Sequence, residues 1–196
     1  MPSPSDEDLA LAVQAGNTDS LGALVARWEQ PLFRFAVRLL DRPEDARDVC
    51  QETFLRILRR SERFREGARF STWMYQIALN LCRDQIRRRR RWKWISLEES
   101  PRSRESAEPL GGPAEGRADD PGRALELRER RRAVSEALGA IPREQREVLI
   151  LKEYEGLKFR EIAEILGCPE STVKSRMYYG LNALRSELGR RGLAAP

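Results

Sequence analysis

Apolar residues recur at intervals of three and four along most of this chain, and alternating β-branched runs are few, so its folded stretches are expected to be helical. Ser5 followed by Asp8 has the spacing of a capping box and opens a short helix that runs to Ala15 and closes at Gly16. A second helix carries Leu21, Leu24, Val25 and Trp28, then Leu32, Phe35, Ala36 and Leu39, and Pro31 is expected to kink or divide it. Asp41 and Pro43 start a third. Its inward stripe is Ala46, Val49, Cys50, Thr53 and Ile57, widened by Phe54 and Leu58. Ser71 caps a fourth, with Trp73, Met74, Ile77, Ala78 and Leu81 on its inner face. Farther on, Glu126–Leu138 forms one helix, Pro142 opens another through Tyr154, and Gly156 stops it.

The last part of the chain has a sharper pattern. Phe159–Leu166 is a short helix with Ile162, Ala163 and Leu166 facing inward. Gly167 can take a left-handed turn, Cys168 is small enough to sit under it, and Pro169 begins a further helix with Val173, Met177, Leu181 and Leu184 on one side. This is helix-turn-helix spacing, and the small Ala163 would let the two helices cross closely. The free face at the start of the second helix holds Ser171, Thr172, Lys174, Ser175 and Arg176, short hydroxyls and long cations that can reach phosphates and base edges. A helical hairpin with a solvated polar face has the same pattern.

Charge divides the chain further. Its 196 residues carry 36 Lys and Arg against 31 Asp and Glu, a net +5, and the excess is concentrated. Between Arg83 and Lys93, six arginines and one lysine stand against Asp84, a local +6. Five of those arginines, Arg87, Arg88, Arg89, Arg90 and Arg91, are consecutive and are followed by Trp92 and Trp94. Consecutive positions wrap all sides of a helix, which is more than compensation of the helix dipole asks. Cations beside aromatics suit nucleic acid, although a solvated helix end is the plainer reading. Residues 96–123 are rich in Ser, Pro, Gly, Ala and Glu, and their seven acids and four arginines give −3. That stretch has too few large apolar side chains to bury a core and is expected to be a flexible linker between domains at 5–95 and 124–190. The chain is thus expected to be all-α, a helical bundle and a helix-turn-helix domain with no internal repeat.

Several function classes are disfavoured. There is no histidine, which removes the commonest general base and the commonest metal ligand. No Gly-rich phosphate loop is seen. Cys50, Cys82 and Cys168 stand far apart, with neither CxxC nor zinc spacing, so no metal, cofactor or disulfide framework is called for. No apolar run approaches the roughly twenty residues needed to span a bilayer. The start, MPSPSDEDL, is acidic and unlike a signal peptide, and a cytoplasmic location is expected. In the third helix Asp45, Asp48 and Glu52 share a side, with Arg56, Arg59 and Arg60 after them. Acid first and base last is what the helix dipole prefers, and a partner-binding face is the functional alternative.

Read together, these segments resemble the bacterial σ70-type sigma factors, in particular the small extracytoplasmic-function (ECF) group. RPEDARDVCQETFLRILRR is similar to the family's helix for binding core polymerase, and FREGARFSTWMYQIALNLCRDQIRRRRR to the segment that melts and reads the −10 promoter element. ALGAIPREQREVLILKEYEGLKFREIAEILGCPESTVKSRMYYGLNALR resembles the −35-reading domain. The resemblance implies a promoter-specificity subunit that is not an enzyme, with core RNA polymerase and promoter DNA as partners. Many members of the group also have an anti-sigma factor. By the same resemblance, Asp45, Asp48, Gln51, Glu52 and Phe54 would dock on the clamp helices of the polymerase's largest subunit. Trp73 and Asn80 would handle unstacked −10 bases, with Phe64–Phe70 walling the pocket, and Arg87–Arg91 would hold phosphates. Trp73 has a second reading as a core residue. Ser171, Thr172, Lys174, Ser175 and Arg176 would form the −35 recognition helix, with Arg160 on the supporting helix. A stand-alone helix-turn-helix regulator is the alternative, and it leaves the acidic helix and the aromatic melting segment without a role.

Overall fold

The computed structural model describes residues 3–95 and 121–193. The described residues are helical throughout, joined by turns, and the chain divides into two compact units. The first unit holds α1 (Asp6–Gln14), α2 (Thr18–Leu40), α3 (Pro43–Arg59), a 3₁₀ turn (Ser61–Arg63) and α4 (Phe70–Ile95). The second holds α5 (Pro121–Ala140), α6 (Arg143–Leu149) with its π-helical continuation (Ile150–Tyr154), most of α7 (Phe159–Leu166), and α8 (Glu170–Arg190). Most of the stretch expected to be a linker lies outside the described residues. Its last part does not: α5 starts at Pro121, because proline suits the first turn of a helix, where its missing N–H has no partner to lose.

The first unit is a bundle around α2 and α4. Leu24, Leu32, Phe35 and Ala36 of α2 meet Phe70, Met74, Tyr75, Ala78 and Leu79 of α4, with Ala46, Val49 and Ile57 of α3 closing one side. Tyr75 packs between Trp28 and Phe35, with ring centroids 6.0 and 5.0 Å away. α1 opens with the expected capping box: the Ser5 hydroxyl accepts from the Asp8 amide, and the Asp8 carboxylate accepts from the Ser5 amide. The Ser5 hydroxyl, then its amide, hold the Asp8 carboxyl below its ordinary pKa. The next acids reach farther. Asp6 pairs with Arg27 at 2.8 Å and accepts the Trp28 indole N–H at 3.0 Å.

Several local expectations are corrected by packing. Pro31 lies inside α2 without dividing it, since apolar burial on both sides of the proline holds the two halves together. Ser71 does not cap α4. The helix already starts at Phe70, whose amide donates to the Glu7 carboxylate of α1 at 3.2 Å, a cap supplied from 63 residues away. Asp41 closes α2 in the left-handed region, φ 57°, and α3 opens from Arg42 with Pro43 in its first turn. Leu58 is exposed rather than part of the α3 stripe, because α2 and α4 cover only one side of that helix. On α4, Trp73 and Ile77 are half-buried, and Phe70, Tyr75, Leu79 and Cys82 join the core in their place.

In the second unit α6 and α8 form the main contact. Val148, Leu149, Ile150 and Leu151 are buried, as are Val173 and Met177 of α8 and Ala137 and Leu138 near the end of α5. α7 ends in a Schellman turn. Gly167, at φ 64°, donates to the Glu164 carbonyl and Cys168 donates to the Ala163 carbonyl, so two orphan carbonyls are satisfied within one turn. The inward residues differ from expectation by one position each: Ile165 is buried where Leu166 was expected, and Gly180 where Leu181 was. Gly180 is a point of close approach between α8 and α6. A Cβ there would lie 3.2 Å from the Gln145 Cβ and 3.2 Å from the Leu149 Cδ1 of α6.

All four tryptophans, Trp28, Trp73, Trp92 and Trp94, belong to the N-terminal part of the chain, so tryptophan fluorescence reports on the first unit alone. Gly180→Val adds three carbons against the Gln145 Cβ, which its backbone holds in place, and against the buried Leu149 side chain. It is expected to destabilise the second unit by about 1–3 kcal/mol, the usual cost of overpacking. Urea denaturation of the full chain checks this: the helical signal should lose its cooperative C-terminal component at lower urea, and the tryptophan transition should stay in place.

Candidate nucleic-acid and partner interfaces

Phase decides what α3 offers. Ala46, Val49, Cys50, Thr53 and Ile57 are buried, which turns Asp48 and Gln51 outward. Glu52 is half-buried and held by Arg56 at 2.8 Å, an ion pair along the same helix. Asp45 shares their side of the helix but not their environment. Its Oδ2 is buried without a hydrogen bond, and the Arg89 guanidinium of α4 lies 3.6 Å from it. Phe54 is buried and lines an apolar groove of about 630 Å³ between α2 and α3, together with Leu21, Val25 and Phe33. Leu55 and Leu58 stand exposed on the groove's rim. They are the surface residues the sequence reading missed, since apolar periodicity assigns such leucines to a core and cannot say that no neighbour arrives. Burial, and then the Glu29 carboxylate, push the Cys50 thiol in the groove up to about 12, so it stays protonated at neutral pH.

α4 gathers most of its expected site residues on one line. Asn80 lies seven residues beyond Trp73, Arg87 seven beyond Asn80, and Arg91 four beyond Arg87, so all four fall close to one stripe of the helix. Asn80, Arg87 and Arg91 are exposed. Trp73 is half-buried, with one side packed on Phe64 at 5.4 Å and Phe70 at 6.4 Å. It is anchored in an aromatic cluster while keeping part of its surface exposed. Phe64 and Phe70 are core residues and hold the ends of the 64–70 segment in place. Arg87 pairs with Asp84 on its own helix. Arg88, Arg89, Arg90 and Arg91 are exposed, and Arg88, Arg90 and Arg91 make no ion pair among the described residues. Trp92 is 65% exposed, an aromatic ring presented at the basic end of the helix.

On α8, burial of Val173, Met177 and Gly180 turns Ser171, Lys174 and Ser175 outward. Lys174 bonds Glu170 at 2.7 Å and lies 5.9 Å from the Phe159 ring centroid. Thr172 and Arg176 are half-buried on the flank. The Arg176 guanidinium reaches back to 3.9 Å from the Cys168 sulfur. Glu144 of α6 is held below its ordinary pKa, first by its own backbone amide, then by Arg143 and Arg176. The outward line of α8 continues through Tyr178, 63% exposed, Tyr179, 61% exposed, and Asn182. The sequence reading stopped at Arg176 and missed these residues. Counting helical phase from Ser171 through Ser175 and Tyr178 would have found them. Arg160 is exposed on α7. Among the described residues no helix is long and apolar enough to cross a membrane.

Comparison with known proteins agrees with this two-unit arrangement. The family model of sigma-70 region 2 matches residues 24–92, in the first unit, and that of sigma-70 region 4 matches residues 131–184, in the second. The RNA polymerase sigma-H factor of Pseudomonas aeruginosa is 30% identical, with 93% of each chain covered. The ECF RNA polymerase sigma factor SigW of Bacillus subtilis is 30% identical over 90% of this chain and 92% of its own. The ECF RNA polymerase sigma factor SigE of Mycolicibacterium smegmatis is 33% identical over 95% of this chain and 70% of its own. Two solved structures share the fold, each with a TM-score of 0.68 and 23% identity. One is CnrH in complex with the cytosolic domain of CnrY, covering 95% of this chain and 99% of that one. The other is the sigma factor RpoE in complex with the anti-sigma factor NepR from Bartonella quintana, covering 86% and 96%. Both sigma regions in their proper order, with relatives alike over nearly the whole length, leave one assignment: the chain belongs to the ECF group of the σ70 family of RNA polymerase sigma factors.

Proposed function

We propose that this chain works in the cytoplasm as a promoter-specificity subunit without catalytic chemistry of its own. The domain at 5–95 docks on core RNA polymerase and handles the −10 element. Residues 96–120 link it to the following domain, which reads the −35 element. The observation that carries this reading is the outward line on each unit: Trp73, Asn80, Arg87 and Arg91 on α4, and Ser171, Lys174, Ser175 and Tyr178 on α8. Each places polar or aromatic groups along one side of a long helix whose opposite side is packed. Asp48 and Gln51, with Phe54, Leu55 and Leu58 at the neighbouring groove, form the face toward the clamp helices of the polymerase. Arg160, Thr172 and Arg176 flank the −35 face, with Tyr179 and Asn182 extending it. An anti-sigma factor belongs to the same proposal, since one solved relative is bound to such a partner.

Run-off transcription with purified core polymerase is the direct test. A promoter-specific transcript should require both this chain and the core enzyme. Tight promoter binding by the chain alone, with no transcript, would instead favour the stand-alone regulator.

Four substitutions assign the faces. Asp48→Lys reverses an exposed charge and should weaken capture of core polymerase while leaving the helical content unchanged. Asn80→Ala should leave thermal stability nearly unaltered, because Ala is the better helix former, and should reduce open-complex formation on a matched promoter. On a panel of −35 variants, Arg176→Ala should relax preference at one base pair by roughly 1–3 kcal/mol, whereas Lys174→Ala should weaken all variants alike and lower the salt slope by about one. An equal loss on every variant for Arg176→Ala would make it a phosphate contact.

A further inference from the structure

Arg89 stands in the middle of the arginine run, yet it points elsewhere. It lies eleven residues beyond Ala78 and seven beyond Cys82, close to whole numbers of turns, and both of those residues are buried. Its side chain therefore leaves α4 toward the α2–α3 corner and lies over it, still 43% exposed, while Arg87 and Arg91 leave on the Asn80 side. There its Nη1 donates to the Leu40 carbonyl at 3.5 Å and lies 3.6 Å from the Asp45 Oδ2. Leu40 ends α2, where the last carbonyls have no partner within the helix and the dipole favours a cation. Asp45 stands in the first turn of α3, and its Oδ2 is buried with no hydrogen bond. One guanidinium thus answers two negative groups on either side of the corner at Asp41.

We propose that Arg89 is a clasp between the basic end of α4 and the α2–α3 corner, and that Asp45 is its positioning partner rather than a polymerase contact. The inference builds on the function proposed above. The clasp makes the helix facing the polymerase and the end of the helix facing the promoter one mechanical piece. A shift of α3 on docking is then passed to Arg87, Arg88, Arg90 and Arg91 through the Asp45–Arg89 pair. A run of five like residues hides this division, because all five are exposed and only Arg89 reaches across to another helix.

The test is a double-mutant cycle in the full chain with Arg89→Gln, Asp45→Asn and the pair, and with Arg88→Gln as an outward control. Hydrogen exchange on the free chain reads the tie directly. Either single change should speed exchange in the last turns of α4 several-fold, and the double variant should exchange no faster than the faster single. With core polymerase, each single variant should slow promoter opening several-fold, again without additivity, and neither should change the salt slope. Arg88→Gln should lower that slope by about one. The clasp is overturned if the exchange rates of the variants equal the wild type. It is equally overturned if the losses add, with Arg89→Gln lowering the salt slope and Asp45→Asn weakening core capture by itself. Absence of a promoter-specific transcript from the wild-type chain would count against the proposed function alone, and exchange on the free chain would still decide the clasp.

Discussion

α4 is helical without a break from Phe70 to Ile95, so the burial of Phe70, Met74, Ala78 and Cys82 sets the direction of every side chain beyond them. A helix cannot rotate one segment against the next without losing backbone hydrogen bonds, and its repeat carries that phase into the basic end. Trp73, Asn80, Arg87 and Arg91 share a line for this reason, and Arg89 does not. The core of the first unit and its proposed contact with the promoter are therefore one arrangement. The aromatic cluster of Phe64, Phe70 and Trp73 fixes the start of the helix, and the Glu7 carboxylate caps it.

The second unit solves a similar problem by different means. α8 must pack closely enough to bury Val173 and Met177 while leaving its opposite side uncovered. Gly180 permits the approach to Gln145 and Leu149, and the turn at Gly167 lets α7 end just before α8 begins. Tyr178 and Tyr179 on the uncovered side would be costly surface for a helix with no partner, since they expose large aromatic area to water. Their exposure is consistent with a role in binding.

Ion pairs sort the charged residues by availability. Glu52 is tied to Arg56, Lys174 to Glu170 and Arg87 to Asp84, all within one helix and all partly exposed. Such pairs hold side chains in place for little energy and can exchange partners when a more strongly charged surface arrives. The Asp45–Arg89 pair is different because it joins two helices and answers a buried oxygen. Asp48 and Gln51, exposed on the same helix, are the groups left for an incoming partner.

Helical class, the capping box at Ser5, the turn at Gly167 and the family were legible in the sequence by itself, because each depends on spacing within a few residues or on motifs carried whole. The family models match residues 24–92 and 131–184, each inside a stretch read as folded. What spacing could not supply was which neighbour reaches each position. Ser71 has the chemistry of a cap, but Glu7 arrives first from another helix. Leu58 has the periodicity of a core residue, but no helix covers it. Gly180 looks like a weak point inside a helix, but it is where α8 comes close to α6. Asp45 matches Asp48 in type and side, but only Asp45 meets a guanidinium from α4. Local preference decides where helices form, because their hydrogen bonds close within four residues. Contacts between residues far apart in sequence decide which of their faces remain free, and those depend on how the helices pack.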